Sequence, residues 1–476
     1  MKDVLKSGRY KMYKNMATEI TKLTLNSLPT DLDYEDFISA QLLLGGYTLD
    51  RSIHEKLEGA GEIFEVDIIT HQYVDKADQR RLVEIKSKVW DVNDIFKVGG
   101  RLRYLGVDSG AFVVQQKCDE KKFASRKASM RNKMGVSLVY AGKKNPTDTK
   151  LDMSELYDVF GISEKTPDDG MLESIRFSYM AERCMRSRVS QLKKSQQKPG
   201  LEALWDFSNE IQDISFYDDD PIQRLHRTFE LFKEYNHLSA RLDYELLHGT
   251  FPDAETVTQF GSGRVKGYLL NEIFYLPVNY SLYLEHRLRM YIIQSCVEYL
   301  VKPKEFQGAF DKFLKTSSYY ALSSNITSGI EYLSEECPHF KQYPLLWQLF
   351  TYMMGGFLLT DHYEEEIELL SRLSCVPTDE VEQCFTVYDV LFPTSNSWLR
   401  EIGGTHIKRL NFMPAPLMGI GANFRRDYYR EKNDDKEPAY EDLKKKLSTD
   451  YTFSNLMRWN HAAFELLKTS GDLRKS

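Results

Sequence analysis

A chain of 476 residues can hold two or three cores, and its apolar fraction of 42% and charged fraction of 28% exclude global disorder. The net charge of -7 hides a division: residues 1–200 carry 34 Lys/Arg against 29 Asp/Glu, residues 201–476 carry 29 against 41. A polyanion is excluded as a general partner of the acidic second part and is steered to the first, where residues 101–150 hold 12 basic and 4 acidic side chains.

In chain order, residues 1–29 form a basic, helix-prone lead-in. The stretch DLDYEDFISAQLLLGG (31–46) predicts a helix with Asp31 or Asp33 as its cap, Phe37, Leu42 and Leu44 as apolar contacts and Gly45-Gly46 as its end. YTLDRSI (47–53), EIFEVDIIT (62–70) and RLVEIKS (81–87) predict three strands, with HQYVDKADQR as a polar turn between the last two. A helix over 91–106, interrupted by Gly99-Gly100, a strand over 111–116, a basic helix over 120–134 and a strand over 136–142 complete a compact α/β unit.

A linker over 151–170, with a short helix near 153–161 and a polar turn at 163–170, leads into a mostly helical region, 171–476. Its predicted helices begin at Pro221 behind three aspartates and run at 278–302, 304–315, 345–373 and 378–391. Residues 411–430 read as loop and 453–468 as a closing helix. The apolar stretch 344–360 opens with Pro and contains Gln348 and Gly355-Gly356, so it reads as a buried helix and no membrane span is expected. Six cysteines form no CxxC pair, which argues against a zinc site or disulfide framework; with no signal-peptide core, a cytoplasmic protein is expected.

The chemistry concentrates in RRLVEIKSK (80–88). Side chains two apart on a strand share a face, so Leu82, Glu84 and Lys86 lie on one side and Val83 and Ile85 on the other. Asp67, on the preceding strand, can lie across from Glu84. Two adjacent carboxylates repel unless a cation sits between them, and a hard divalent ion is the natural one. Lys86 can then hold a water or stabilise charge developing on a phosphate.

FEVDIIT followed by RRLVEIKSK resembles the core motif of the PD-(D/E)xK nuclease superfamily, and the surroundings resemble Mrr-type restriction endonucleases and archaeal Holliday-junction resolvases. The likeness covers about residues 30–142; Val66 stands at the position of the motif's proline, which is often absent in the superfamily. It implies a restriction-endonuclease-like α/β core over 30–150, a central mixed sheet flanked by helices, ahead of the large helical region. It implies Asp67 and Glu84 as ligands of Mg2+ (or Mn2+), Lys86 as catalytic lysine, and Glu35 as the helical carboxylate, with Asp36 as its alternative. The expected activity is metal-dependent phosphodiester cleavage within DNA, in a prokaryotic restriction or anti-phage setting. A structure-specific repair or junction-resolving nuclease, an RNA endonuclease and a non-catalytic adaptor are the alternatives.

Lys97, Arg101 and Arg103 on the following helix, with Lys122, Arg126 and Arg131 on the basic helix (beside Lys121, Lys127 and Lys133), are the candidates for phosphate contacts. Lys88 is a candidate supporting residue. The acidic helical region is expected to serve a second copy, a partner protein or restraint of the nuclease. FGSGRVKGY (260–268) lacks the Gly-Lys-Ser/Thr of a nucleotide-binding loop, so no nucleotide cofactor is expected. His226, His237 and His248 are spaced roughly 16 Å apart along a helix, too far to share a metal. GGTHIKRL (403–410) and NFRRDYYR (423–430) read as peripheral loops.

Overall fold

The computed structural model describes residues 28–57, 61–74, 77–162, 197–213, 221–248, 276–340 and 376–392, with scattered positions within 172–195 and 343–371 and residue 251. The basic lead-in, the turn at 163–170, the three aspartates ahead of Pro221, the glycine-rich 260–268, most of 344–373 and everything beyond 392 lie outside the described residues.

Helix α1 (Leu32–Leu44) starts at Asp31, whose φ of 51° turns the chain sharply while its N–H donates to Ser87 Oγ at 2.9 Å. It is buried nearly all round, from Tyr34 and Phe37 to Leu42 and Leu44. A helix apolar on every side belongs between two layers, and α1 lies between the sheet and the helical region. Strands β1 (Thr48–Leu57), β2 (Gly61–Val74) and β3 (Ala77–Lys86) form an antiparallel meander. Helix α2 (Val92–Tyr104) then crosses over to β4 (Ser109–Val114), and α3 (Glu120–Met134) to β5 (Val136–Tyr140), both strands joining in parallel. The sheet order is β1-β2-β3-β4-β5.

Both faces of this mixed sheet are covered. Leu82, Phe112, Val114 and Leu138 meet Ile95, Val98 and Leu102 of α2 and Phe123 and Met130 of α3. Val83, Ile85, Ala111, Val113 and Val139 meet α1 and the helices downstream. Gly99 lowers the helix propensity of α2, yet a Cβ there would meet Met134 Cε at 2.1 Å. The glycine lets α3 approach α2. The capping box of Asp91 and Asp94 offsets part of the weakness.

Two expectations change. HQYVDKADQR is mostly strand: β2 runs on to Val74 and β3 starts at Ala77, pairing His71 with Arg80, Gln72 with Gln79, Tyr73 with Asp78 and Val74 with Ala77. Ladder bonds join backbone to backbone, so polar side chains do not end a hairpin. Residues 151–162 are not linker either. Helix α4 (Ser154–Phe160) sits on the sheet: Glu155 accepts from the Tyr140 N–H at 2.8 Å, and the Tyr47 hydroxyl donates to the Phe160 carbonyl at 2.5 Å.

The rest is helical: α5 (Pro199–Asp213), α6 (Pro221–His248), α7 (Leu276–Val301), α8 (Lys304–Thr316), α9 (Tyr320–Glu336) and α10 (Thr378–Leu391). Among the described residues one core cluster runs through both regions, containing Ile68, Val83 and Val113 together with Phe229, Leu288 and Ile292. At the join, the Tyr291 hydroxyl of α7 donates to Asp50 Oδ1 of β1 at 2.9 Å, and His71 Nε2 stands 3.3 Å from Asp50 Oδ2. Among the described residues no helix is long and apolar enough to cross a membrane.

Candidate active site

The candidate residues gather where the sheet forks. Strands β2 and β3 pair from Val74–Ala77 as far as Ile68–Val83 and no further. Before Ile68, β2 continues with β1 alone, as in Ile53–Val66 and His54–Glu65; after Val83, β3 continues with β4, as in Glu84–Phe112 and Lys86–Val114. Asp67 is the first residue inside the fork. Its partner strand β1 also lets go there, since the ladder skips Ser52, whose φ is 49°. Freed from regular pairing, the Asp67 carboxylate accepts the Ile85 N–H at 2.7 Å. The side chain takes a place that a backbone carbonyl fills in an unbroken ladder.

Glu84 and Lys86 occupy the end of β3. The face that carries them is not an open one: α2 covers Leu82 completely and leaves Glu84 buried, while Lys86 reaches the rim. Lys86 Nζ lies 3.5 Å from Glu84 Oε1, and the Arg101 guanidinium of α2 donates to Glu84 Oε2. Of the two helical carboxylates, Asp36 is buried against Arg51 and so is committed to the fold. Glu35 is the one whose charge acts on Asp67.

The electrostatics show how crowded the fork is. Burial pushes the Asp67 carboxyl well above the ordinary range, and the Glu84 and Glu35 carboxylates push it further, against the Ile85 N–H and Lys86. Burial also raises Glu84, with Arg101 and Lys86 opposing. Glu35 is raised to about 7, by burial first, with Arg51 opposing and Glu65 and Asp36 adding. For Lys86, burial works against the ammonium, but Glu84 and Asp67 outweigh it and its pKa is raised. Sequence reasoning missed Glu65, an exposed carboxylate two residues before Asp67 that acts on both Glu35 and Glu84. The signal was the same period-2 rule that picked out Asp67.

Among the described residues, no three His, Cys, Asp or Glu side chains close up at metal-ligand spacing; Asp67 is turned to an amide and Glu84 to Arg101 and Lys86. The donor chemistry nonetheless fits a hard cation. Glu35, Asp67 and Glu84 offer oxygen only, and their mutual repulsion is the kind a divalent ion relieves.

The expected phosphate contacts separate into two groups. Lys97, Arg103, Lys122 and Arg131 are exposed, Lys97 lying 3.3 Å from Asp94; Lys121 and Lys133 are exposed as well. Others are engaged by the fold. Arg126 lies 5.5 Å from the Trp90 ring centre, Lys127 pairs with Glu155 at 2.9 Å, and Arg101 is drawn into the fork. Lys88 pairs with Asp31 at 2.8 Å across the start of α1. Comparisons with protein-family models, with curated proteins and with solved structures find no match. The nuclease resemblance therefore rests on these residues and their arrangement.

Proposed function

We propose that the α/β unit is a metal-dependent phosphodiesterase of the PD-(D/E)xK type, an endonuclease acting on DNA. The observation that carries this reading is the fork between β2 and β3, where Glu35, Asp67 and Glu84 crowd around Lys86 in a partly closed setting. Asp67 and Glu84 would hold Mg2+ or Mn2+, with Glu35 in support. When bound, such an ion supplies Lewis-acid polarisation of a phosphate oxygen and a more acidic water.

The chain's own residues do the rest. The Ile85 amide fixes the direction of the Asp67 carboxylate. Glu84 holds the Lys86 ammonium at the rim, where it can orient a water and offset charge building on the phosphate. Lys97, Arg103, Lys122 and Arg131, exposed on α2 and α3, are available to flanking phosphates. DNA is favoured because the motif resembles that of DNA enzymes. The acidic helical region suits a protein partner, a second copy or restraint of the nuclease, as a restriction or anti-phage system requires.

The test is incubation of the full chain with plasmid, linear, junction and single-stranded DNA and with RNA, in Mg2+ or EDTA. Metal-dependent DNA cleavage is expected, reduced at least roughly a thousandfold by Glu84→Ala or Lys86→Ala. Preference for junctions moves the reading to a resolvase, and cleavage of RNA alone overturns the choice of substrate. Activity absent everywhere, or equal in the variants, leaves an adaptor.

A further inference from the structure

Glu84 is already neutralised from within. Arg101 and Lys86 engage its two oxygens, and the Arg101–Glu84 pair is largely shut off from water, with side-chain exposures of 17% and 8%. This is not a screened surface bridge. The seat of the guanidinium is built: it lies 5.6 Å from the Phe64 ring centre, and Phe64 is held edge-on by Tyr104, one turn further along α2, at 5.3 Å. Arginine's planar fork suits a carboxylate and a phosphate equally well.

We propose that Arg101 is the site's internal counter-ion, a positioning residue that competes with the divalent cation for Glu84 and passes to a nucleic-acid phosphate when the cation loads. This rests on the metal-site reading above and adds its regulation. With the guanidinium on Glu84 the site is closed to metal, and with the guanidinium on a phosphate it is open. Linkage then makes metal and nucleic acid each favour binding of the other. Metal affinity of the free protein is lowered by the fraction of molecules in which Arg101 has left Glu84.

Calorimetric titration of Mn2+ into the full chain, without nucleic acid, tests this. Arg101→Ala should bind Mn2+ about tenfold tighter or more than the wild type. Arg101→Lys, which keeps the charge but not the fork, should fall between them, and Arg101→Ala in a Glu84→Gln background should change nothing. DNA affinity of the Lys86→Ala protein should rise on adding Mn2+, and that rise should shrink when Arg101→Ala is added. Circular dichroism establishes that each variant is folded, and Arg101→Lys serves as the reading if Arg101→Ala is not. Mn2+ affinity unchanged or weakened by Arg101→Ala or Arg101→Lys overturns the counter-ion role and leaves the metal site standing. No Mn2+ binding to any form overturns both.

Discussion

In the helical region, two buried carboxylates each meet a basic side chain. Arg224 of α6 pairs with Glu298 of α7, both inside the bundle, and His339 Nδ1 stands 2.6 Å from the buried Glu380 of α10. At the β2/β3 fork the balance is broken. Glu35, Asp67 and Glu84, with Glu65 at the edge, face Lys86 and Arg101, and all three inner carboxyls are raised. Matched pairs hold a fold together. An excess of one sign costs stability and marks a place where something from outside supplies the missing charge.

The contrast is broken most directly by removing one member from each set. Arg224→Ala removes the guanidinium from the buried Glu298 and should cost about 3–5 kcal/mol in denaturant unfolding. Asp67→Asn, in the absence of divalent ions, should be close to neutral or stabilising, because its amide oxygen can still accept the Ile85 N–H while one of several repelling carboxylates is removed. An equal loss at both positions would make the fork as structural as the bundle.

The next effect is read from pH. The folded state holds the Glu35 proton more tightly than the unfolded chain does, so this group's contribution is fully present below about 4.5 and lost as pH rises through about 7. The shift corresponds to at most about 3 kcal/mol, and Asp67 and Glu84, also raised, act in the same direction. Unfolding of the metal-free protein across pH 5 to 8 should show stability falling, and Glu35→Gln should flatten that fall. A profile that the substitution leaves unchanged would remove Glu35 from the crowded set.

Part of the fork could be read from the sequence because period 2 puts Glu84 and Lys86 on one face; Asp67 sits where that alternation breaks, Val66 joining the core under α2 and Ile68 the core under α1. Glu35 and Asp36 could not be separated that way, since the choice depends on Arg51 arriving from β1. Arg101 looked like a solvent cation because nothing local says that α2 packs its last turn over Glu84. The α/β elements followed propensity and caps, whereas α9 was hidden in a Ser-, Thr- and Gly-rich stretch. There Leu322, Ile326, Ile330 and Leu333 bury one face, and Gly329 admits Leu391 of α10, so tertiary packing decides.

The join between the two regions gives a smaller effect. Tyr291→Phe removes the buried hydrogen bond to Asp50 and the one the hydroxyl accepts from Arg287, while Arg287 and His71 remain beside Asp50. A loss of about 1 kcal/mol is expected. It should appear as a shift of a single unfolding transition, because one core runs through both regions. Two separated transitions in the variant would show that the regions unfold independently.

The smallest stability effect belongs to the exposed cations, and there the comparison turns from folding to binding. Lys97 sits in solvent beside Asp94, so Lys97→Ala should cost under about 0.5 kcal/mol of stability. If Lys97 meets a phosphate, the same change lowers the slope of log affinity against log salt by about 0.9. Arg126 makes the opposite case: its guanidinium lies against Trp90 and Cys118, so Arg126→Ala should loosen the packing of α3 and leave the salt slope alone. Measured together by DNA binding at several salt concentrations, the two variants separate cations that face a polyanion from cations that serve the fold. A slope lost with Arg126 and kept with Lys97 would reverse that assignment and take Lys97 off the DNA path.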